Sequence, residues 1–320
     1  MKKLWFVLFL GLFFSLGTAF AQECERGTLD ARFCDEDGDL LADVPSDAAE
    51  LVSPDTLIFA YTPVEDPAVY AEVWADFLTH MEEVTGKSVQ FFPVDSNAAQ
   101  LEAMRAGRLH VAGFNTGSVP FAVNVAGFRP FAMMAADDGS FGYEMEIITG
   151  PDSELATPAD LAGGQLAFTS ETSNSGFKAP SALLMSEFDL SADADFETAF
   201  SGSHENSILG VVNGDYAAAS IANSVLSRMI ARGVVTEDDY KSIYTSQTFP
   251  TTAYGHAHNL DPELATSIQE AFFSYDWEGT ALQEEFSESG EAQFIEIDYL
   301  SYWDVIRKID EANGVNYTSP

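Results

Sequence analysis

The chain has 320 residues, with 51 acidic against 14 basic side chains for a net charge of −37, and 46% of its residues are hydrophobic. So acidic a balance argues against nucleic acid as a partner, because gripping a phosphate backbone requires clustered lysine and arginine. The same field opposes an anionic ligand at long range, so an anion would have to be held by short-range donors, which screening over about 10 Å at 0.1 M salt permits. The length exceeds what one compact core usually organises and predicts two domains.

The amino end reads Met1-Lys2-Lys3, then an apolar run from Leu4 to Phe20, then Ala19-Phe20-Ala21 before Gln22. This pattern predicts a secretory signal peptide over residues 1–21, cleaved after Ala21. The run is short for a membrane span. Loss of Lys2 and Lys3 takes the charge from −37 to −39. The next segment, residues 22–49, holds both cysteines, Cys24 and Cys34, and in an exported chain their pairing is expected. Asp35-Glu36-Asp37-Gly38-Asp39-Leu40-Leu41-Ala42-Asp43 follows. Oxygen side chains at alternate positions can wrap one hard cation, so Asp35, Asp37, Asp39 and Asp43 are candidate ligands for a structural Ca²⁺. The run resembles the aspartate loops of thrombospondin type 3 repeats and lacks the terminal glutamate of an EF-hand. The alternative is a disordered acidic leader.

From Pro54 onward, strand and helix signals alternate. Residues 56–60 read as a strand running into Tyr61-Thr62-Pro63, followed by one long helix over 68–85. Residues 89–94 are predicted as a strand, and 98–106 as a helix stopped by Gly107. Residues 111–114 form a strand that enters Asn115-Thr116-Gly117-Ser118, with Pro120 in the first turn of the next helix. Residues 141–148 alternate as a half-exposed strand. Residues 165–168 form a short buried strand leading into Thr169-Ser170-Glu171-Thr172-Ser173-Asn174-Ser175-Gly176 and a helix through Leu183, Leu184 and Phe188. Phe200-Ser201-Gly202-Ser203-His204-Glu205-Asn206-Ser207 opens onto apolar 208–212. Beyond lie a small-residue strand over 217–221, a helix over 222–231, a strand over 240–244, an extended segment over 252–258, and helices over 262–273 and 302–311.

Four polar loops therefore precede helices. A helix N-terminus leaves backbone N–H groups unpaired and carries partial positive charge, so hydroxyls and small residues there form a socket for an anion. The same residue types make ordinary helix caps. Recurrence in an α/β arrangement favours the socket, because ligands lie beyond the carboxyl ends of the strands and such loops converge there. Lys178 adds one positive charge near the third loop.

These residues resemble the phosphate-, phosphite- and phosphonate-binding proteins of ABC importers. The likeness spans about residues 55–274 and rests on Ala60-Tyr61-Thr62-Pro63, Ser96-Asn97-Ala98-Ala99-Gln100, Gly107-Arg108, residues 169–176, and Ser203-His204 followed by Asn213-Gly214-Asp215. It implies an α/β fold of two lobes, a type II-like periplasmic binding protein with two hinge crossings. One lobe would comprise residues 50–147 plus 252–320 and the other 148–251. It also implies a monomeric periplasmic receptor without a cofactor, neither enzyme nor nucleic-acid binder, that captures a small phosphorus oxyanion and delivers it to an ABC permease in the inner membrane. Carried over, it puts Tyr61 on one wall of the cleft and Thr116 on a loop of the same lobe. Thr172, Ser173 and Ser175 would be donors to the oxygens, and His204 a donor from the facing lobe. A bound dianion would favour the protonated form of His204. Family members that hold aminoalkyl phosphonates use acidic residues near Ser224 and Thr252, where this chain is uncharged. Glu205 would be the substitute for them here.

Two other readings compete. Ser175, His204 and Asp215 could serve a hydrolase as nucleophile, base and orienting acid, although no Gly-x-Ser-x-Gly elbow is present. His256 and His258, two apart on one strand face, could belong to a transition-metal binder.

Overall fold

The computed structural model describes residues 24–317, so the predicted signal peptide and its cleavage after Ala21 lie outside the described residues. Among the described residues, no helix is long and apolar enough to cross a membrane.

The described residues open with Cys24 bonded to Cys34 and then build a first α/β layer. Its elements are β1 (Thr56–Tyr61), α1 (Pro67–Val73), α2 (Ala75–Thr85), β2 (Ser88–Phe91), α3 (Asn97–Arg105), β3 (Val111–Phe114), α4 (Val119–Ala126) and β4 (Phe128–Ala135). A second layer follows as β5 (Tyr143–Thr149), β6 (Gln165–Phe168), α5 (Ala179–Phe188), β7 (Glu197–Phe200), α6 (His204–Val212), β8 (Ala218–Ala222), α7 (Asn223–Ala231) and β9 (Lys241–Phe249). The chain then returns through β10 (Ala253–Ala257), α8 (Pro262–Phe273), α9 (Ala281–Phe286) and β11 (Gln293–Glu296), and ends with α10 (Tyr299–Tyr302) and α11 (Asp304–Ala312).

Two sheets result, ordered β11-β4-β10-β3-β1-β2 and β7-β6-β8-β5-β9. In the first, β1 runs parallel to β2 and β3, while β10 is antiparallel to β3 and β4. In the second, β6 is parallel to β7 and β8, and β5 is antiparallel to β8 and β9. The chain passes between the sheets at residues 136–142 and 250–252. The expected lobe boundary between residues 147 and 148 thus falls inside β5, which pairs only with strands of the second sheet. Alternating hydrophobicity over 141–148 fits either sheet, so nothing local marked the crossing. The carboxy-terminal helices lie across both lobes: Asn313 Nδ2 donates to the Lys178 carbonyl at 3.0 Å, and Trp303 Nε1 donates to the Thr116 carbonyl at 2.9 Å.

Two further elements depart from expectation. The helix expected over 68–85 is broken at Trp74 (φ −87°, ψ −7°). That fully buried indole packs on Phe59 at 4.8 Å and Tyr254 at 5.5 Å, so burying the ring outweighs one turn of continuous helix. β4 was hidden by Pro130, which argues against a central strand. Pro130 is accommodated opposite Gly255, where the β4–β10 register shifts.

Candidate functional site

A cavity of about 50 Å³ opens between the lobes beyond the carboxyl ends of β1, β3 and β6, and Tyr61, Thr116, Ser173, Ser175 and His204 are among its lining. A water needs roughly 10–15 Å³ on the same measure, so the space suits a ligand of a few heavy atoms.

Local sequence sets each donor. Ser173 caps the turn that follows β6: its Oγ accepts the Gly176 N–H at 3.1 Å, which leaves the hydroxyl hydrogen free to point at a ligand. The chain does not pass directly into α5 as expected but makes a π-helical turn over Asn174–Lys178 first. Ser203 caps α6 by accepting the Asn206 N–H at 3.1 Å and so places His204 at the first helical position. His204 Nδ1 accepts the Ala222 N–H at 3.1 Å. The hydrogen of the neutral ring is therefore on Nε2. Burial, with Arg228 nearby, pushes the His204 pKa down to about 4. Burial therefore favours the neutral ring, a donor through Nε2 at pH 7; the charged imidazole was expected only with a dianion bound beside it.

The other expected residues have unequal roles. Tyr61 is held by Tyr70, edge-on at 4.5 Å, and by Tyr254, stacked at 6.3 Å. Burial raises its phenol well above the ordinary range, so it keeps its O–H. Ser175 is 1% exposed and lines the cavity, and its carbonyl is tied to the Ser220 hydroxyl at 2.7 Å. Thr116 also lines the cavity, but its hydroxyl donates to the Pro250 carbonyl at 2.8 Å. It ties β3's loop to the second crossing and has no hydrogen left for a ligand. Thr172 is not in the lining. Its Oγ1 accepts the Ser118 hydroxyl at 3.1 Å, which joins the lobes instead.

Contacts between the lobes are close throughout. A side chain on Gly117 would meet the Thr172 carbonyl oxygen and, at 2.5 Å, the Asn174 nitrogen of the facing lobe, so only glycine allows this approach. Lys178 Nζ donates to the Gly117 carbonyl at 2.7 Å and pairs with Asp310 at 2.7 Å. It is therefore a structural cation and is absent from the cavity lining. Arg228 of α7, by contrast, lines the cavity together with Glu291. Its Nη2 is 3.4 Å from Glu65, and Arg232 also pairs with Glu65. Sequence reasoning missed Arg228, which lies on an ordinary amphipathic helix, and Glu291, which lies in a loop after Gly290, because both are far along the chain from the polar loops.

The competing assemblies do not form. Asp215 is exposed beyond the far end of α6, and the His204 nitrogen it would orient is taken by Ala222, so Ser175, His204 and Asp215 are not a triad. His256 is 4% exposed with Nδ1 on the Ala257 carbonyl at 2.9 Å, while His258 packs edge-on against Phe33 at 4.7 Å. Among the described residues, the group of carboxylates or imidazoles close enough to share an ion is Asp35, Asp37 and Asp39, with ligand atoms within 4.8 Å of one another. Asp43 stands apart and accepts the Glu36 N–H at 3.0 Å.

Two α/β lobes on crossing segments, enclosing a small polar cavity, define a periplasmic-type solute-binding protein. The family model described as "ABC transporter, phosphonate, periplasmic substrate-binding protein" matches residues 59–302, and the chain belongs to that family. It is 26% identical over 245 residues to the phosphate-import protein PhnD of Mycolicibacterium smegmatis, covering 72% of this chain and 75% of that one. It is 26% identical over 254 residues to the phosphonates-binding periplasmic protein of Escherichia coli, covering 76% and 75%. Its fold matches that of PhnD1 from Prochlorococcus marinus, solved with methylphosphonate, at a TM-score of 0.72 and 16% identity over 82% of this chain and 99% of the other.

Proposed function

We propose that this chain captures a small tetrahedral phosphorus oxyanion (phosphonate, phosphite or phosphate) between its lobes in the periplasm, after cleavage at Ala21, and hands it to an inner-membrane ABC permease. The observation that carries this reading is the set of neutral donors converging on a cavity of about 50 Å³: the Ser173 and Ser175 hydroxyls, the Tyr61 O–H and the His204 Nε2–H. Neutral donors hold an anion without attracting counter-charge in a low-dielectric site, and hydrogen bonds to a charged acceptor contribute roughly 1.5–3 kcal/mol each. The donors come from both lobes, so the ligand favours the closed state, and a permease reads closure as occupancy. The protein acts as a monomeric receptor without a catalytic step or a cofactor. The small volume disfavours longer amine-bearing ligands.

A calorimetric panel of phosphate, phosphite, methylphosphonate, aminoethylphosphonate and sulfate tests the reading. At least one of the first three binds below millimolar concentration. Failure of all three overturns the assignment. The Asp35, Asp37 and Asp39 cluster is read as a structural calcium site at the margin of the first lobe. Addition of EGTA then lowers the melting temperature while leaving oxyanion affinity unchanged, and an unaltered melting curve removes the calcium.

A further inference from the structure

Glu291 is a carboxyl group set in the wall of a cavity that otherwise offers donors. It follows Gly290, whose φ of 85° ends the short turn Ser287–Ser289, and its backbone N–H bonds the Phe286 carbonyl at 3.1 Å. The side chain is 9% exposed and lines the same cavity as Ser173, Ser175 and His204. Its Oε2 accepts the Ser289 hydroxyl at 2.5 Å, while Oε1 has no hydrogen-bond partner among the described residues. The other charged group in the lining, Arg228, is already shared. Glu65 is 3.4 Å from its Nη2 and Glu285 is 3.2 Å from its Nε, and Arg232 pairs with the same two carboxylates. Three carboxylates thus meet two guanidinium groups, and the carboxylate with no ion pair is the one in the cavity wall.

A fully ionised anion placed beside that carboxylate meets like charge with no counter-ion to spare. One proton held between the two replaces the repulsion with a charge-assisted hydrogen bond. We propose that Glu291 sets the specificity of the site: the cavity binds its oxyanion together with one proton, shared between a P–O oxygen of the ligand and the Glu291 carboxylate. The ligand is thereby narrowed to weak acids that keep a proton near neutrality, and the anions of strong acids, such as sulfate, are excluded. This rests on the reading of the cavity as a phosphorus-oxyanion site. The other titratable groups in the lining are Tyr61, Tyr143, His204 and Arg228, with Glu65 and Glu285 behind Arg228. Of these, His204 is the competing proton acceptor.

Calorimetry with methylphosphonate above its second ionisation, in two buffers of different protonation enthalpy, counts the protons taken up per ligand. The wild type takes up about one, and E291Q about none. E291Q also binds sulfate at least about tenfold more tightly than the wild type does. Absence of uptake in the wild type overturns the inference. So does uptake that persists in E291Q, which assigns the proton to His204, and so does equal sulfate affinity in the two proteins. The wild-type count stands whether or not E291Q folds. If the wild type binds no phosphorus oxyanion, the site reading falls and this inference with it, whereas tight binding without proton uptake removes this inference alone.

Discussion

Ser173 and His204 owe their usefulness to the groups that occupy their other atoms. The Gly176 N–H fills one acceptor position of the Ser173 hydroxyl, and the Ala222 N–H fills His204 Nδ1, so each side chain, both in the cavity lining, has one hydrogen left to donate. Ser173→Ala and His204→Ala are each expected to weaken oxyanion binding by about ten- to a hundredfold, measured by calorimetry on protein whose melting curve shows it folded. An unchanged affinity in both would move the site elsewhere. The buried histidines also make stability pH-dependent. His204, His256 and His258 all have pKa values lowered to about 4 by burial. Their unfolded forms bind protons more readily, so their contribution is fully present above about pH 6.5 and is lost as pH falls towards 4. His256→Gln should flatten the acid side of the melting-temperature profile relative to wild type, and an identical profile would assign the acid loss to other groups.

The loops act in pairs, one from each lobe, and Gly117 with Lys178 joins the pair at the cavity's edge. Gly117→Ala would place a methyl group against the Thr172 carbonyl and Asn174. The two lobes still fold separately, but they can no longer approach, so oxyanion affinity should drop at least about tenfold. Small-angle scattering should then show no compaction with ligand, and a normal response would mean the loop yields. Lys178 and Asp310 are each 1% exposed at the side chain, and Tyr317 donates to the other carboxylate oxygen at 2.9 Å. Lys178→Met leaves that carboxyl buried without its cation and is expected to destabilise the protein by about 3–5 kcal/mol in urea unfolding.

Across the whole molecule, the amino-terminal segment packs on the first lobe, with Leu29, Phe33, Leu41 and Ala42 buried in its core, and none of its residues lines the cavity. The Cys24–Cys34 bond closes a loop of ten residues, and a loop that short contributes about 2–3 kcal/mol at most in the chain-entropy model. Reduction should lower the melting temperature modestly and leave oxyanion affinity unchanged. Loss of binding on reduction would show that the segment supports the cleft. Closure itself is a property of both lobes, since Glu65 of the first meets Arg228 and Arg232 of the second and the carboxy-terminal helix reaches across both.

The alternation of strand and helix and the four polar loops before helices were legible in the chain because each is a local matter of periodicity and turn chemistry. Tyr61, Ser173, Ser175 and His204 lie on or beside those loops, but the resemblance to the binding-protein family, not turn chemistry, singled them out. The fate of each hydroxyl could not be named in advance. Thr116 spends its hydrogen on Pro250, Thr172 faces Ser118, and neither partner is near in sequence. The sheet to which β5 belongs, the break at Trp74, and the arrival of Arg228 and Glu291 at the cavity were likewise decided by long-range packing. Such contacts depend on which surfaces meet once the chain has crossed between lobes, and the order of residues along the chain carries no local mark of it.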